Sequence, residues 1–307
     1  MLFNIPSPLL QIHLPISQAS NIEVWMKRDD LIHSEISGNK WRKLKFNIEK
    51  FKQGQYDAIL TFGGAFSNHI AATAFAGKEL NIPTIGIIRG EELNQNSNST
   101  IQAAHQNGMD LHFVSRTKYK ERYEKIYWTE LRNRFGNILI IEEGGANFHG
   151  LLGCSEVVSE LPFEPDYILT AAGTGTTSAG LLFTCDKSEI ISVPVLKKGT
   201  FIKDEIKELL YYSGLSGGDI NLKLNQLKLE TRFHFGGYGK SNHVLIDFMN
   251  AFYEQTKIPL DHIYTAKMVY AFTELVKESY FKKGSKVVLL HTGGLQGNVS
   301  ISNQLKY

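Results

Sequence analysis

Two stretches of this 307-residue chain repeat one pattern: an apolar run, a turn of small residues, then a segment of helical character. The first runs Ala58-Ile59-Leu60-Thr61-Phe62, then Gly63-Gly64-Ala65-Phe66, then Ser67-Asn68-His69. The second runs Tyr167-Ile168-Leu169-Thr170-Ala171-Ala172, then Gly173-Thr174-Gly175, then Thr176-Thr177-Ser178. Apolar runs bounded by turn residues and followed by helices read as strands covered on both faces, the kind that parallel sheets with helical crossovers require. The chain is therefore expected to be α/β. Strands are predicted near 57–62, 84–89, 111–115 and 138–142, with helix between them including 116–135, and this set makes one small open sheet. A second set near 167–170, 190–195, 230–235 and 287–291 should join the N-terminal segment in a larger sheet. The resulting division is a large domain of 1–45 and 155–307 and a small α/β domain of 46–154. Polar segments 91–100 and 214–218 read as loops, and no internal repeat or low-complexity tract is present.

Composition excludes several classes. With 42% hydrophobic and 21% charged residues, the chain has enough apolar material for a large core. A net charge of +2, with acids and bases interleaved as in 118–130, provides no field for nucleic acid. Cys154 and Cys185 have no paired spacing, and the histidines lack a metal-ligand pattern, so neither a disulfide framework nor a metal site is expected. Residues 1–18 hold three prolines and no basic start, unlike a signal peptide, and no apolar run reaches membrane-spanning length. Cytoplasm is the simplest placement.

Lys40 is the leading candidate for chemistry. It follows the extended segment 23–27 and opens a helix whose apolar stripe is Trp41, Leu44, Ile48 and Phe51. Ser37 and Asn39 offer cap oxygens to that helix. The positive end of the helix dipole should lower the pKa of Lys40 and favour Schiff-base formation. Against this stands a plain solvated lysine beside Arg42, Lys43, Lys45 and Lys50. The Gly173–Thr177 turn is a phosphate cradle, because glycines let amide N–H groups converge at a helix start. Ser178 occupies the third position of a would-be Gly-x-Gly-x-x-Gly fingerprint, and no Gly-Lys-Ser closes a triphosphate loop. A single phosphate remains, as on pyridoxal phosphate, or else a turn with no ligand. Ser67, Asn68 and His69 stand at a helix start suited to a carboxylate and a ring hydroxyl, or to ordinary capping.

In order, Lys27-Arg28-Asp29-Asp30-Leu31, Gly38-Asn39-Lys40, Gly64 to His69, Glu143-Gly144-Gly145, Gly173 to Thr177, Gly237-Tyr238-Gly239, Tyr264-Thr265 and His291-Thr292-Gly293-Gly294 resemble the 1-aminocyclopropane-1-carboxylate deaminase and D-cysteine desulfhydrase family. That family lies within the fold-type II pyridoxal-phosphate enzymes typified by the tryptophan synthase beta subunit. The resemblance implies two open parallel-sheet domains with the active site in the cleft between them, and pyridoxal 5'-phosphate as cofactor. Lys40 matches the lysine that binds the cofactor covalently and later moves protons. Asn68 matches the contact to the ring hydroxyl, while Ser67 and the neighbouring amides match the substrate-carboxylate site. Gly173, Thr174, Gly175, Thr176 and Thr177 match the phosphate loop. Tyr264 matches an active-site tyrosine, and Thr292 a hydroxyl facing the pyridine nitrogen. Ser67, Asn68, His69, Tyr238 and Tyr264 are the expected substrate contacts, with Lys40, Ser67 and Tyr264 the expected catalytic set. Ser37-Gly38 replaces a common pair of glycines, and Thr176 a common glycine of the phosphate loop, departures of geometry more than of chemistry.

Thr265 stands where the cyclopropane deaminases typically have glutamate, and His69 where they usually have glutamine; both resemble the desulfhydrases. A hydroxyl leaves the pyridine nitrogen closer to neutral than a carboxylate would, which suits thiolate expulsion better than ring opening. The expectation is β-elimination from D-cysteine to pyruvate, sulfide and ammonia, with cyclopropane deamination as runner-up. Thr265→Glu is expected to weaken desulfhydrase activity. A non-catalytic metabolite binder and a nucleotide-dependent oxidoreductase are the rivals from other classes. A homodimer is the family expectation, with a small amino acid as substrate and neither nucleic acid nor membrane as partner.

Overall fold

The computed structural model describes residues 3–36 and 38–307. Met1, Leu2 and Ser37 lie outside the described residues, and with Ser37 goes its expected capping role. In chain order the elements are β1 (Leu9–Ile12), α1 (Pro15–Ala19), β2 (Glu23–Lys27), α2 (Asn39–Gln53), β3 (Ala58–Gly64), α3 (Asn68–Leu80), β4 (Thr84–Arg89), α4 (Ser99–Gln106), β5 (Asp110–Val114), α5 (Arg116–Lys120), α6 (Lys125–Phe135), β6 (Ile138–Ile141), α7 (Phe148–Ser159), β7 (Tyr167–Ala172), α8 (Thr176–Thr184), β8 (Glu189–Pro194), α9 (Ile202–Tyr212), α10 (Gly217–Asn225), β9 (Leu227–Leu229), α11 (His243–Thr256), α12 (Thr265–Lys277) and β10 (Lys286–Leu290). They fall into two compact units. One comprises Phe3–His33, 38–39 and Cys154–Tyr307, the other 34–36 and Lys40–Gly153.

Among the described residues, the larger unit holds a six-stranded sheet in the order β1-β2-β10-β7-β8-β9. All neighbours run parallel except β1, which pairs antiparallel with β2 at the edge. All residues of β7 are buried, as its unbroken apolar run requires. Val24, Met26, Leu169, Val193, Val287 and Leu289 share one core with Met249 and Phe252 of α11 and Met268 and Phe272 of α12. The strand expected at 230–235 is instead β9, which precedes that segment. Buried Glu230 accepts from Arg232 Nε at 2.8 Å and from the Arg232 amide at 3.2 Å, turning the chain back on itself. Phe235 and Gly236 then take φ of 49° and 93°, which no strand continues through.

The smaller unit holds a four-stranded parallel sheet, β5-β4-β3-β6. Leu60, Phe62, Ile85, Ile87, Ile138 and Ile140 pack with Tyr119, Tyr127 and Leu131, while Ile70, Ala74, Ile88 and Ile101 form a separate cluster. The single helix expected over 116–135 is broken. Ser115 caps α5 through the Lys118 amide at 3.1 Å, a 3₁₀ turn spans Glu121–Tyr123, and Glu124 is extended before α6. Trp128 Nε1 donates to the Arg122 carbonyl at 2.7 Å, satisfying a carbonyl at the break. On α2 the stripe is as expected at Leu44 and Ile48, which are buried, but so are Arg42 and Lys43. Lys50 and Lys52 at the far end of α2 are exposed, so only the start of the helix departs from a solvated basic face.

Candidate active site

Open parallel sheets gather ligands at the carboxyl ends of strands where connections diverge. In the larger unit β10 and β7 are hydrogen-bonded neighbours, and β7 pairs with β8 on its other side. Their ends lead into His291-Thr292 and Gly173-Thr174-Gly175 respectively. Gly175 is left-handed, with φ 71°, and the start of α8 has no side-chain cap. First-turn amides of α8 are thus uncovered by any capping side chain, which is the condition for holding an anion. A Cβ at Gly175 would lie 2.8 Å from Ile206 Cγ1 on a left-handed backbone, so position 175 is held to glycine. Thr174 and Thr176 hydroxyls meet at 2.9 Å, one donating to the other, which leaves one hydroxyl proton for the cradle.

Tyr264 closes on that turn: a Cβ on Gly173 would stand 3.4 Å from its Cε1 and 3.6 Å from its phenolic oxygen. The ring of Tyr238 is T-shaped to that of Tyr264, centroids 6.0 Å apart. Buried Thr292 lies just past the end of β10, its carbonyl accepting from the Asn39 amide at 3.2 Å. Gly38 has φ 63°, and a Cβ there would fall 1.8 Å from the same carbonyl, so glycine is required. Asn39 Nδ2 donates to Thr177 Oγ1 at 2.9 Å. Lys40 is bonded to Asn39 through one peptide, which sets its Cα about 3.8 Å on. The covalent chain thus holds Lys40 next to a residue tied to the phosphate-type turn.

In the smaller unit, Ser67 caps α3 by accepting from the Ile70 amide at 3.3 Å, leaving its own proton to donate. Asn68 and His69 open that helix. His69 is buried, and its Nε2 is 3.0 Å from Thr61 Oγ1, which gives its one proton to the Ile141 carbonyl at 2.8 Å. His69 Nε2 must therefore be the donor, and Nδ1 carries a bare lone pair. That Nδ1 has no hydrogen-bond partner among the described residues. Burial, then the charges of Lys40 and Lys43, push the imidazole down to about 3. It is a neutral acceptor, neither a fully satisfied core histidine nor an acid.

Residues 1–293 match the family model described as pyridoxal-phosphate dependent enzyme. The chain belongs to this family. It is 28% identical to a bifunctional D-cysteine desulfhydrase/1-aminocyclopropane-1-carboxylate deaminase of Arabidopsis thaliana, over 96% of this chain and 78% of that one. It is 24% identical to a D-cysteine desulfhydrase of Klebsiella pneumoniae, over 95% and 93% of the two chains. A solved structure described as an ACC deaminase homologue superposes with a TM-score of 0.81 at 25% identity, covering 99% of this chain and 94% of that one. The fold is that of the fold-type II pyridoxal-phosphate enzymes, and pyridoxal 5'-phosphate is the cofactor.

The residues fit such a cofactor. An uncapped α8 start, a position 175 closed to side chains and two adjoining hydroxyls are what a phosphate monoester needs, and Lys40, one peptide from Asn39, carries a primary amine. Within this pyridoxal-phosphate enzyme, several supporting residues escaped sequence reasoning. Asp261 is buried, with its carboxylate accepting from the amides of Ile263 (3.0 Å), Tyr264 (2.8 Å) and Thr265 (2.8 Å) and from Thr265 Oγ1 (2.6 Å). It fixes the start of α12, and with it Tyr264. Thr265 is wholly buried with its hydroxyl proton given to Asp261, so it does not face a ligand as the reading of position 265 required. His291 spans from the Pro259 carbonyl (2.7 Å) to the Gly293 amide (3.2 Å) and so shapes the turn bearing Thr292. An acidic residue three before the tyrosine was the one available signal for Asp261, as a helix-start pattern.

Proposed function

We propose that this enzyme carries out β-elimination on D-cysteine, yielding pyruvate, sulfide and ammonia, in the cytoplasm and as a homodimer. The observation that carries this reading is the Asn39–Thr177 hydrogen bond, which ties the residue before Lys40 to the start of α8. Names of the Arabidopsis and Klebsiella relatives supply the substrate class. Deamination of 1-aminocyclopropane-1-carboxylate is the second reading, favoured by the Arabidopsis name. Elimination is preferred because the one carboxylate at the start of α12, Asp261, is saturated by donors from residues 263–265 and has no capacity left to hold a proton on a pyridine nitrogen.

The bound cofactor supplies an electron sink that makes the α-proton of an amino acid acidic. Everything else is done by side chains and amides of the chain. Ser67 Oγ–H and the first-turn amides of α3 hold the substrate carboxylate and so fix which bond at the α-carbon is broken. Asn68 holds the ring hydroxyl. The α8 amides, with Thr174, Thr176 and Thr177, hold the phosphate. Lys40 Nζ is the base that would take the α-proton. His69, neutral, offers only a lone pair at Nδ1, so it orients a donor and cannot protonate a leaving group. Tyr264 and Tyr238 line the substrate side. With the electron sink the cofactor would supply, the reaction would take D-cysteine and water to sulfide, pyruvate and ammonia.

Purified protein should show a visible absorption band that borohydride removes and that Lys40→Ala lacks. Sulfide and pyruvate from D-cysteine, in excess over 2-oxobutyrate from the cyclopropane amino acid, is the expected outcome. The reverse preference establishes the deaminase, and cofactor binding without turnover of any amino acid establishes a non-catalytic binder. Light scattering should report twice the mass of one chain.

A further inference from the structure

Lys267 lies on α12, one turn after Tyr264, and is completely buried. Its ammonium donates to the carbonyl of His234 at 3.0 Å and to that of Gly237 at 2.8 Å. Both carbonyls belong to the loop that carries Tyr238, where Phe235, Gly236, Gly237 and Gly239 have φ of 49°, 93°, 113° and 65°. A segment in that conformation has no ladder to order it; its internal bonds are Gly236 N–H to His234 Nδ1 at 3.0 Å, Gly237 N–H to His234 O at 2.9 Å and Lys240 N–H to Gly237 O at 3.1 Å. Tyr238 is 43% exposed. Its ring meets that of Tyr264, edge to face at 6.0 Å, and Tyr264 in turn stands against Gly173.

We propose that Lys267 is a positioning residue for the substrate site: one ammonium, carried by the helix that starts at Tyr264, holds both turn carbonyls before Tyr238 and thereby sets that ring against Tyr264. The proposal rests on the reading that the substrate lies against these two tyrosines. Burial draws the ammonium down to about 8, with Asp261 the charge that opposes the fall. Packing alone would be served by methionine or leucine without desolvating a charge. Only a multiple donor satisfies two converging carbonyls on a strained loop.

The test compares holoenzymes of the wild type, Lys267→Met and Lys267→Gln. In Lys267→Met the visible band of the Lys40-bound cofactor is retained, KM for D-cysteine rises roughly tenfold, and kcat stays within about threefold. Amide hydrogen exchange across 235–240 quickens about tenfold while α8 and β7 are unchanged. Lys267→Gln retains a donor for one carbonyl and shifts both readouts the same way, by roughly threefold; it carries the test alone if the methionine variant does not fold. Unchanged exchange at 235–240 in a folded variant, exchange quickened equally throughout the larger unit, or a fall in kcat at constant KM overturns the proposal. If the wild type releases no sulfide, the substrate reading has failed and the exchange data decide on Lys267 separately.

Discussion

His69 shows how one proton position defines a residue's part. Its Nε2–H is pinned by Thr61, whose own proton is pinned by the Ile141 carbonyl, and the imidazole is held down to about 3 by burial and by Lys40 and Lys43. An ordinary histidine titrates near 6.5. Below that value the unfolded chain takes up a proton that the native chain refuses, so stability falls as pH drops from about 6.5 towards about 3. At pH 5 the loss from this one group is about 2 kcal/mol. Denaturant unfolding at pH 7.5 and pH 5 should show that loss in the wild type and not in His69→Gln; equal losses in both would mean that His69 is protonated in the native state. Sequence pointed to His69 through its place at a helix start. Thr61 could not be paired with it by inspection, because the pairing depends on the alternation of faces along β3 and on the path of β6.

At the scale of elements, α12 is held at its start by one side chain. Asp261 takes three amide donors and the Thr265 hydroxyl, so position 265 matters through a buried carboxylate. Thr265→Val keeps the shape but removes both the bond to that carboxylate and the acceptor of the Asp261 amide, at 2.8 Å, a loss of at least about 1.5–3 kcal/mol. A drop in melting temperature of about 3–6 °C is expected, measured by calorimetry. Thr265→Glu would bury a second carboxylate against Asp261, and its expected loss of desulfhydrase activity is therefore a loss of the α12 start, accompanied by a larger fall in melting temperature than Thr265→Val shows. A lower activity with an unchanged melting temperature would restore a direct role for residue 265 at the ligand. Elements with an unbroken apolar run, such as β3, β4 and β7, were legible because period and length are local properties. The 230–235 segment misled because Phe233 and Phe235 mimic strand alternation, while Glu230 and Arg232 pair with each other and curl the backbone.

At the scale of the molecule, cofactor binding should govern stability. A ligand taken up only by the native state adds about 2.7 kcal/mol at a hundredfold excess over its Kd. The melting midpoint of cofactor-depleted protein should therefore climb with added pyridoxal phosphate, and climb less in Lys40→Ala, which keeps the phosphate cradle and lacks the amine. A midpoint independent of the cofactor in scanning calorimetry would contradict the site assembled from Gly173 to Thr177. No helix among the described residues is long and apolar enough to cross a membrane. The amino-acid sequence by itself determined most strands and helices, though not the break within 116–135 or the turn at 230–235, together with the two glycine turns, the candidate lysine and the family, because each is written in residues close together along the chain. Tertiary structure alone decided that Asn39 reaches Thr177, that Lys267 holds the carbonyls of His234 and Gly237, and that His69 keeps a bare Nδ1. The physical reason is sheet order: in the larger unit β10 inserts between β2 and β7, so groups that hydrogen-bond to one another come from segments that share no local pattern. A hydrogen bond depends on where two backbones are brought, and that is fixed only when the strands between them are paired.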